Sequence, residues 1–203
     1  MTARISRHYV AQLLGSIGRR SSLLPVILVV AAICGPVALG EIVRWVIRPV
    51  PKGYDCYIND RFGYSVAYPH GVLFEQGEGT NGDGQAITSK SGDAKLLVYG
   101  SLNVLDHTTK DNYREFKANG DGPYDHPTPP TITYTAIRKD WMVASGYANG
   151  NVIYHKYMLD KYGDINLTFI YPIKKKAYYD PIAAKIAASF GRTRGLGYQF
   201  TGQ

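Results

Sequence analysis

Beyond residue 53 the chain alternates apolar and polar positions with a period of two, broken by Gly, Asn and Pro at short intervals, and this predicts strands joined by tight turns. Tyr54 to Ile58 and Phe62 to Pro69 flank Asn59-Asp60 as a hairpin. Gly77 to Gly84 reads as a glycine-rich loop, followed by short strands at Gln85 to Ser89 and Ala94 to Leu102. Thr108 or Thr109 caps a helix that runs to about Ala118 and stops at Asn119-Gly120, with Tyr113, Phe116 and Lys117 spaced as one face. Asp121 to Pro130 holds four prolines and reads as loop. Ile132, Tyr134 and Ala136 then alternate in a half-buried strand, and Trp141, Val143, Ser145 and Tyr147 in the next.

Asn149-Gly150 separates that strand from Val152 to Leu159. Asn-Gly between two alternating runs is a strong hairpin signal, because both central positions of a type I′ turn need positive φ. Gly163-Asp164 turns the chain into Ile165, Leu167, Phe169 and Tyr171, closed by Pro172. The last segment carries helix punctuation: Asp180 as N-cap, Pro181 at the first helical position, Ile182, Ile186 and Phe190 on one face, and Gly191 just past the end. Runs of strands without strand-helix-strand alternation give antiparallel sheets, so the expectation is an α+β domain in which helices pack on a twisted antiparallel sheet of about six to eight strands.

The first fifty residues follow a different pattern. Leu23 to Gly40 is an uncharged run of eighteen, and after Glu41 the apolar character resumes through Ile47. Roughly twenty apolar residues suffice to cross about 30 Å of hydrocarbon. Residues 23–48 are therefore expected to form a transmembrane signal anchor, kinked near Pro36, with Trp45 at the far interface. Arg4, Arg7, Arg19 and Arg20 precede the run, while Arg44, Arg48 and Lys52 follow it, which places residues 1–22 in the cytoplasm as a basic arm. The chain then divides into a linker at 49–53, an extracytoplasmic α+β domain at 54–191 and a tail at 192–203, periplasmic if the cell is Gram-negative. A cleaved signal peptide stays open through Ala38-Leu39-Gly40, although the run exceeds the usual h-region. Lipidation is disfavoured because Ile33, not a small residue, precedes Cys34.

Composition excludes a disordered chain: 45% of residues are apolar and 12% aromatic, with 17 Tyr. The formal charge of +7 points toward nucleic acid only until it is divided along the chain. Residues 1–52 hold seven Lys/Arg against one acid, and residues 53–203 hold sixteen against fifteen. The folded part is nearly neutral as a whole, at +1, so no nucleic-acid partner is expected. Within it, residues 173–194 carry a local +5 and residues 53–172 sum to −4. Lys174, Lys175, Lys176 and Lys185, with Tyr178 and Tyr179 beside them, are the candidate contacts for an anionic partner: membrane headgroups, an acidic envelope polymer or an acidic protein face. The competing account is a solvated surface, with Arg192 and Arg194 complementing the helix dipole.

Chemical motifs are scarce. Cys34 and Cys56 fall in different segments, so no disulfide within the domain is expected, and Cys56 reads as an ordinary thiol on a strand. Neither a Walker loop nor HExxH is present, and Gly63-Tyr64-Ser65-Val66-Ala67 only approximates GxSxG, within a strand. His70, His107, His126 and His155 sit in four separate segments, so no metal or other cofactor is expected. Asp60, Asp83, Asp121, Asp125, Asp140, Asp164 and Asp180 nearly all fall at predicted turns or caps. Asn81-Gly82-Asp83-Gly84 recurs as Asn119-Gly120-Asp121-Gly122, but without the spaced ligands of a calcium loop, and turn chemistry accounts for both copies.

Phe62-Gly63-Tyr64-Ser65-Val66-Ala67-Tyr68-Pro69, an aromatic-Gly-aromatic strand ending in proline near the domain start, resembles the opening of PsbP-type domains. The terminal helix closing on Ala188-Ser189-Phe190 after a Tyr-Pro strand is similar to their end. The resemblance covers residues 54–191 and implies an α/β/α sandwich around a central antiparallel sheet, in a family of mostly accessory or binding proteins without catalysis. Where such chains often place Trp shortly after the proline, this one has His70-Gly71-Val72-Leu73-Phe74.

Three function classes follow. The first is a non-catalytic, membrane-anchored extracytoplasmic binding or accessory module, which is not an enzyme. The second is a single-span accessory subunit of a larger membrane complex. The third is an envelope enzyme whose site is assembled from distant residues, with Asp60, Tyr68 and His70 as its starting point.

Overall fold

The computed structural model describes residues 50–120, 128–161 and 163–193. In chain order the elements are β1 (Tyr54–Asn59), β2 (Tyr64–Pro69), β3 (Leu73–Glu78), β4 (Gly84–Ser89), β5 (Lys95–Ser101), α1 (Thr109–Asn119), β6 (Thr131–Ile137), β7 (Trp141–Ala148), β8 (Asn151–Asp160) and β9 (Gly163–Pro172). A 3₁₀ turn (Ile173–Lys175), α2 (Lys176–Ser189) and the short β10 (Gly191–Arg192) complete them. The expected anchor at 23–48 lies outside the described residues, and among those described no helix is long and apolar enough to cross a membrane.

Two antiparallel sheets form, one of seven strands in the order β3-β4-β5-β9-β8-β7-β6 and one of three in the order β1-β2-β10. Period-two alternation sends successive side chains to opposite faces of the large sheet. Ile87, Leu96, Val98, Leu167 and Phe169 go to one face, where they meet Tyr57, Tyr64 and Val66 of the small sheet and Tyr179, Ala183, Ile186 and Phe190 of α2. Met142, Ala144, Ile153, Tyr157 and Ile170 go to the other, where Phe116 of α1 covers them. The helices thus lie on opposite faces of the central sheet, as an α/β/α sandwich requires.

The β7-β8 turn is as its residues predict, whereas Gly163 and Asp164, expected as the next turn, already belong to β9 and pair with Asp160 and Leu159. Asn149 and Gly150 have φ of 50° and 75°, and Ala148 pairs with Asn151 directly across them. A Cβ at Gly150 would meet nothing within 4 Å, so φ strain rather than collision should decide the cost of replacing it. Asn149→Val with Gly150→Val is expected to destabilise the domain by about 1–3 kcal/mol, the cost of holding β-branched residues at positive φ. An unchanged melting temperature would contradict the turn assignment.

Several expectations are corrected. The glycine-rich loop begins later than Gly77, because β3 occupies Leu73–Glu78 and pairs with β4 through a register shift between Glu75 and Glu78. Only Leu73 of this edge strand is buried, so it has no apolar alternation to reveal it. The hairpin β1-β2 forms a sheet of its own because its buried tyrosines pack face-on against the large sheet. Tyr57 Oη donates to Glu78 Oε1 and Tyr68 Oη to Glu75 Oε1, each at 2.6 Å, which ties β1 and β2 to the rim at β3.

Along β6 the expected face of Ile132, Tyr134 and Ala136 is split. The register shifts between Ile132 and Tyr134, so Ile132 pairs with Gly146 whereas Tyr134 pairs with Ser145 on the opposite face, and Tyr134 is 57% exposed. On β7 the more buried set is Met142, Ala144 and Gly146, under α1, rather than Trp141, Val143, Ser145 and Tyr147. Lys117 of α1 is exposed, leaving Phe116 as the buried residue of its proposed face.

The final helix starts five residues earlier than its punctuation predicts, at Lys176 rather than Pro181. Asp180 is not a cap but lies inside α2, pairing with Lys176 one turn back and accepting from Tyr171 Oη at 2.9 Å. Pro181 is likewise interior. The physical reason is aromatic packing: the Tyr179 ring lies tilted at 5.4 Å from Tyr171 and edge-to-face at 5.9 Å from Phe169, and this draws the preceding turn onto the sheet. Arg192 does not complement the helix C-terminus as expected. Lys156 of β8 donates to Ala187 O and Phe190 O at 2.7 and 3.2 Å, meeting carbonyls that a helix end leaves without internal partners. Arg192 instead holds Asp160 at 2.9 Å and donates to Phe62 O and Gly163 O, while Arg194 lies outside the described residues.

Candidate functional site

Electrostatics single out the outer face of α2 and the turn before it. Ending β9 at Pro172 sends the chain through Ile173–Lys175, so Lys174 and Lys175 project from the sheet margin and Lys176 begins the helix. Tyr178 and Lys185 are two turns apart on α2 and both exposed, Tyr178 at 53%. The Lys185 ammonium sits 5.5 Å from the ring centroid of Tyr54, at the start of β1, a cation-π distance. Burial first, and then the neighbouring Tyr178 hydroxyl, push the Tyr54 hydroxyl above the ordinary phenol range. Tyr54, Tyr178 and Lys185 therefore form one cluster drawn from both ends of the domain, with Lys174 a turn away.

The six residues singled out in the sequence do not behave alike. Lys175 Nζ lies 2.6 Å from Asp93 Oδ2, and Lys175, Ser91 and Ser89 together hold the Asp93 carboxyl far below its usual range. Lys176 is engaged with Asp180. Two of the four lysines are thus locally neutralised, leaving Lys174 and Lys185 as the less compensated charges. Tyr179 is corrected outright: at 3% exposure it is a core residue beneath α2 and has no surface to offer a partner. Tyr54 is the member that sequence inspection missed, since only the docking of β1 under α2 brings residues so far apart in the chain together.

The constellation considered for an enzyme is not assembled. Asp60 follows β1 at the closed end of the first hairpin and His70 follows β2 at its open end, where His70 Nδ1 lies 2.8 Å from Asp55 Oδ2. At about 3.4 Å per residue the hairpin separates the two by on the order of 17 Å. Tyr68, meanwhile, is occupied by Glu75. A shallow groove of about 430 Å³ between α1 and β6 is lined by Tyr113, Lys117, Pro130 and residues 132–135, and among the described residues its lining offers no carboxylate, imidazole or thiol to act as general acid, base or nucleophile. Among the described residues no three His, Cys, Asp or Glu side chains are placed to hold a metal ion.

The polar groups buried under α1 engage one another instead. His155 Nδ1 lies 2.8 Å from Thr168 Oγ1 and Nε2 lies 3.0 Å from Asn112 Oδ1; Asn112 Nδ2 reaches Asn166 Oδ1 at 3.5 Å, and Asn166 Nδ2 donates to Asp164 Oδ1 at 2.8 Å. Ser101 Oγ donates to the same carboxylate oxygen at 2.7 Å. With the Nε2-H tautomer, which Asn112 Oδ1 selects as acceptor, both ring nitrogens of His155 are satisfied while the imidazole is neutral. Phe116 stacks on it at 4.7 Å, and burial pushes the imidazole down to about 4. Asp164 is thus a buried strand residue rather than a turn residue, and burial raises its carboxyl above the ordinary range despite Ser101 and Asn166. This chain of side chains pins α1 to β8 and β9; its buried members are closed off from solvent and offer no open position to a substrate.

No family model matches the chain, and no curated protein matches it in sequence. Among solved structures, the chain is similar to cyanobacterial PsbP (CyanoP) from Synechocystis sp. PCC 6803, determined in solution, with a TM-score of 0.53 at 13% identity over 69% of this chain and 92% of that one. At that identity the likeness is one of fold, and the fold is PsbP-like, as the Phe62 to Pro69 strand and the terminal helix imply.

Proposed function

We propose that the protein is a non-catalytic accessory or binding module, held at the membrane by residues 23–48, with its α+β domain on the extracytoplasmic side. Its contact surface is the basic, aromatic face built by Lys174, Tyr178 and Lys185 together with Tyr54, and its partner is anionic. The observation that carries this is the convergence of exposed lysine and tyrosine at one place on a PsbP-like sandwich whose buried histidine and carboxylate are consumed by internal hydrogen bonds. The Tyr rings supply contact area at low entropic cost, and the ammonium groups supply charge.

Reversing Lys175 would place a carboxylate against Asp93, so the informative variant leaves that pair alone. Lys174→Glu with Tyr178→Ala and Lys185→Glu is expected to melt as the parent does, because these positions lie outside the core, and to release a salt-sensitive anionic companion that the parent retains when purified from detergent-solubilised membranes. Equal retention by parent and variant would overturn the surface assignment. The single-span subunit of a larger complex is a second reading, supported by Val104 and Leu105, which are 78% and 73% exposed on the loop after β5. An integral membrane protein co-purifying with the triple variant, and lost when Val104 and Leu105 are changed to Ser, would favour it.

A further inference from the structure

We propose that the occupant of this face is the anionic headgroup layer of the same membrane that anchors the chain, so that the domain lies on the bilayer with α2 facing the lipid. The inference rests on the anchor proposed above and adds an orientation to it. The linker at 49–53 carries Pro49 and Pro51, and at no more than about 3.5 Å per residue five residues reach at most roughly 18 Å. The domain therefore cannot stand far from the surface, and the point where the linker delivers the chain is Tyr54. That residue is itself packed beneath Lys185 and beside Tyr178. The tether thus enters the domain at the edge of its basic face rather than at the opposite side of the sandwich, where α1 lies.

Three physical consequences converge. A short tether raises the effective concentration of whatever surface lies next to it, so a weak contact at that surface becomes populated. Exposed lysines on flexible stems reach phosphate while tyrosine settles at headgroup depth. The remainder of the domain carries a net negative charge over residues 53–172, which an anionic leaflet repels, and this favours the orientation with residues 173–185 toward the membrane. Lys175 and Lys176 keep their intramolecular partners in this arrangement, so Lys174 and Lys185 carry the lipid contact.

The test uses the full chain in lipid nanodiscs made of phosphatidylcholine alone or of phosphatidylcholine with phosphatidylglycerol. Lysines are acetylated under limiting reagent and quantified by peptide mass spectrometry. In the anionic discs at low salt, Lys174 and Lys185 are expected to react on the order of five-fold more slowly than in the neutral discs, the preference a single lysine contributes at an anionic surface. Lys110 on α1 and Lys139 between β6 and β7, both exposed, keep equal rates, and high salt abolishes the difference. Equal rates at Lys174 and Lys185 in both discs, with the chain embedded, would overturn the inference while leaving the anchor intact. Failure of the chain to enter discs at all would instead remove the anchor and the inference with it. Protection that appears only in native envelope extracts, and in neither disc, would assign the face to an acidic protein and likewise overturn it.

Discussion

Replacing Phe169 with Ala is expected to cost about 3–5 kcal/mol, the range for deleting a fully buried aromatic ring whose surroundings cannot collapse. Phe169 lies on β9, the middle strand of the seven, and none of its surface is exposed. Its ring sits 4.9 Å from Tyr171 and 5.9 Å from Tyr179, so it joins the central strand to α2. Neighbouring strands fix β9 from both sides through β5 and β8, which prevents the backbone from closing the cavity. A domain of this size has a total stability of about 5–15 kcal/mol, so the variant should be close to unfolding at moderate temperature. Urea titration of parent and variant measures the loss directly. Phe74→Ala on β3, where the ring is 42% exposed, should lose less than about 1 kcal/mol in the same assay, and similar losses at both sites would contradict the layer assignment.

The second large effect is a loss of stability on acidification, carried by His155. In the unfolded chain its imidazole takes up a proton near the ordinary value of about 6.5. In the folded domain burial holds it neutral down to about 4. The depressed folded value means that stability is complete above pH 6.5, falls as the pH drops toward 4, and changes no further below that through this group. The expected loss between pH 8 and pH 5 is about 2 kcal/mol, approaching about 3 kcal/mol at lower pH. Asp164 acts in the opposite sense, since its raised carboxyl binds a proton in the folded state before it does in the unfolded one. His155→Gln removes the imidazole while leaving Asp164 in place, so the difference in pH slope between parent and variant isolates the histidine. Parallel slopes would show that His155 is solvated or protonated in the fold.

The lysine-tyrosine face differs in legibility from the core it covers. A run of three lysines and a pair of tyrosines is visible in the chain, but whether a given lysine is compensated depends on Asp93, on a distant turn. Tyr178 and Tyr179 are adjacent in sequence, yet one is 53% exposed and the other 3%, because a helix turns successive side chains through about 100° and only one of them meets Phe169 and Tyr171. Tyr54 joins the site through docking alone. The hydrogen-bonded chain from Thr168 through His155 to Asp164 leaves no motif, since its members come from β5, α1, β8 and β9, and each is an unremarkable polar residue in its own segment.

What the sequence by itself determined are features whose physics is local. The Asn149-Gly150 turn follows from which residues tolerate positive φ. The start of α1 follows from a threonine cap, read as Thr108 or Thr109 and found at Thr108. The alternation along β8 and β9 follows from the pleat. What only the tertiary structure decided depends on surfaces that meet after those elements exist. Such features include the insertion of β9 between β5 and β8, the separation of β1-β2 as a second sheet completed by β10, and the bulge that sends Tyr134 outward. The extension of α2 back to Lys176, against the signals of Asp180 and Pro181, belongs with them. Local preferences of about 1 kcal/mol give way there because burying Tyr179 between Phe169 and Tyr171 removes more apolar surface from water than a helix cap returns.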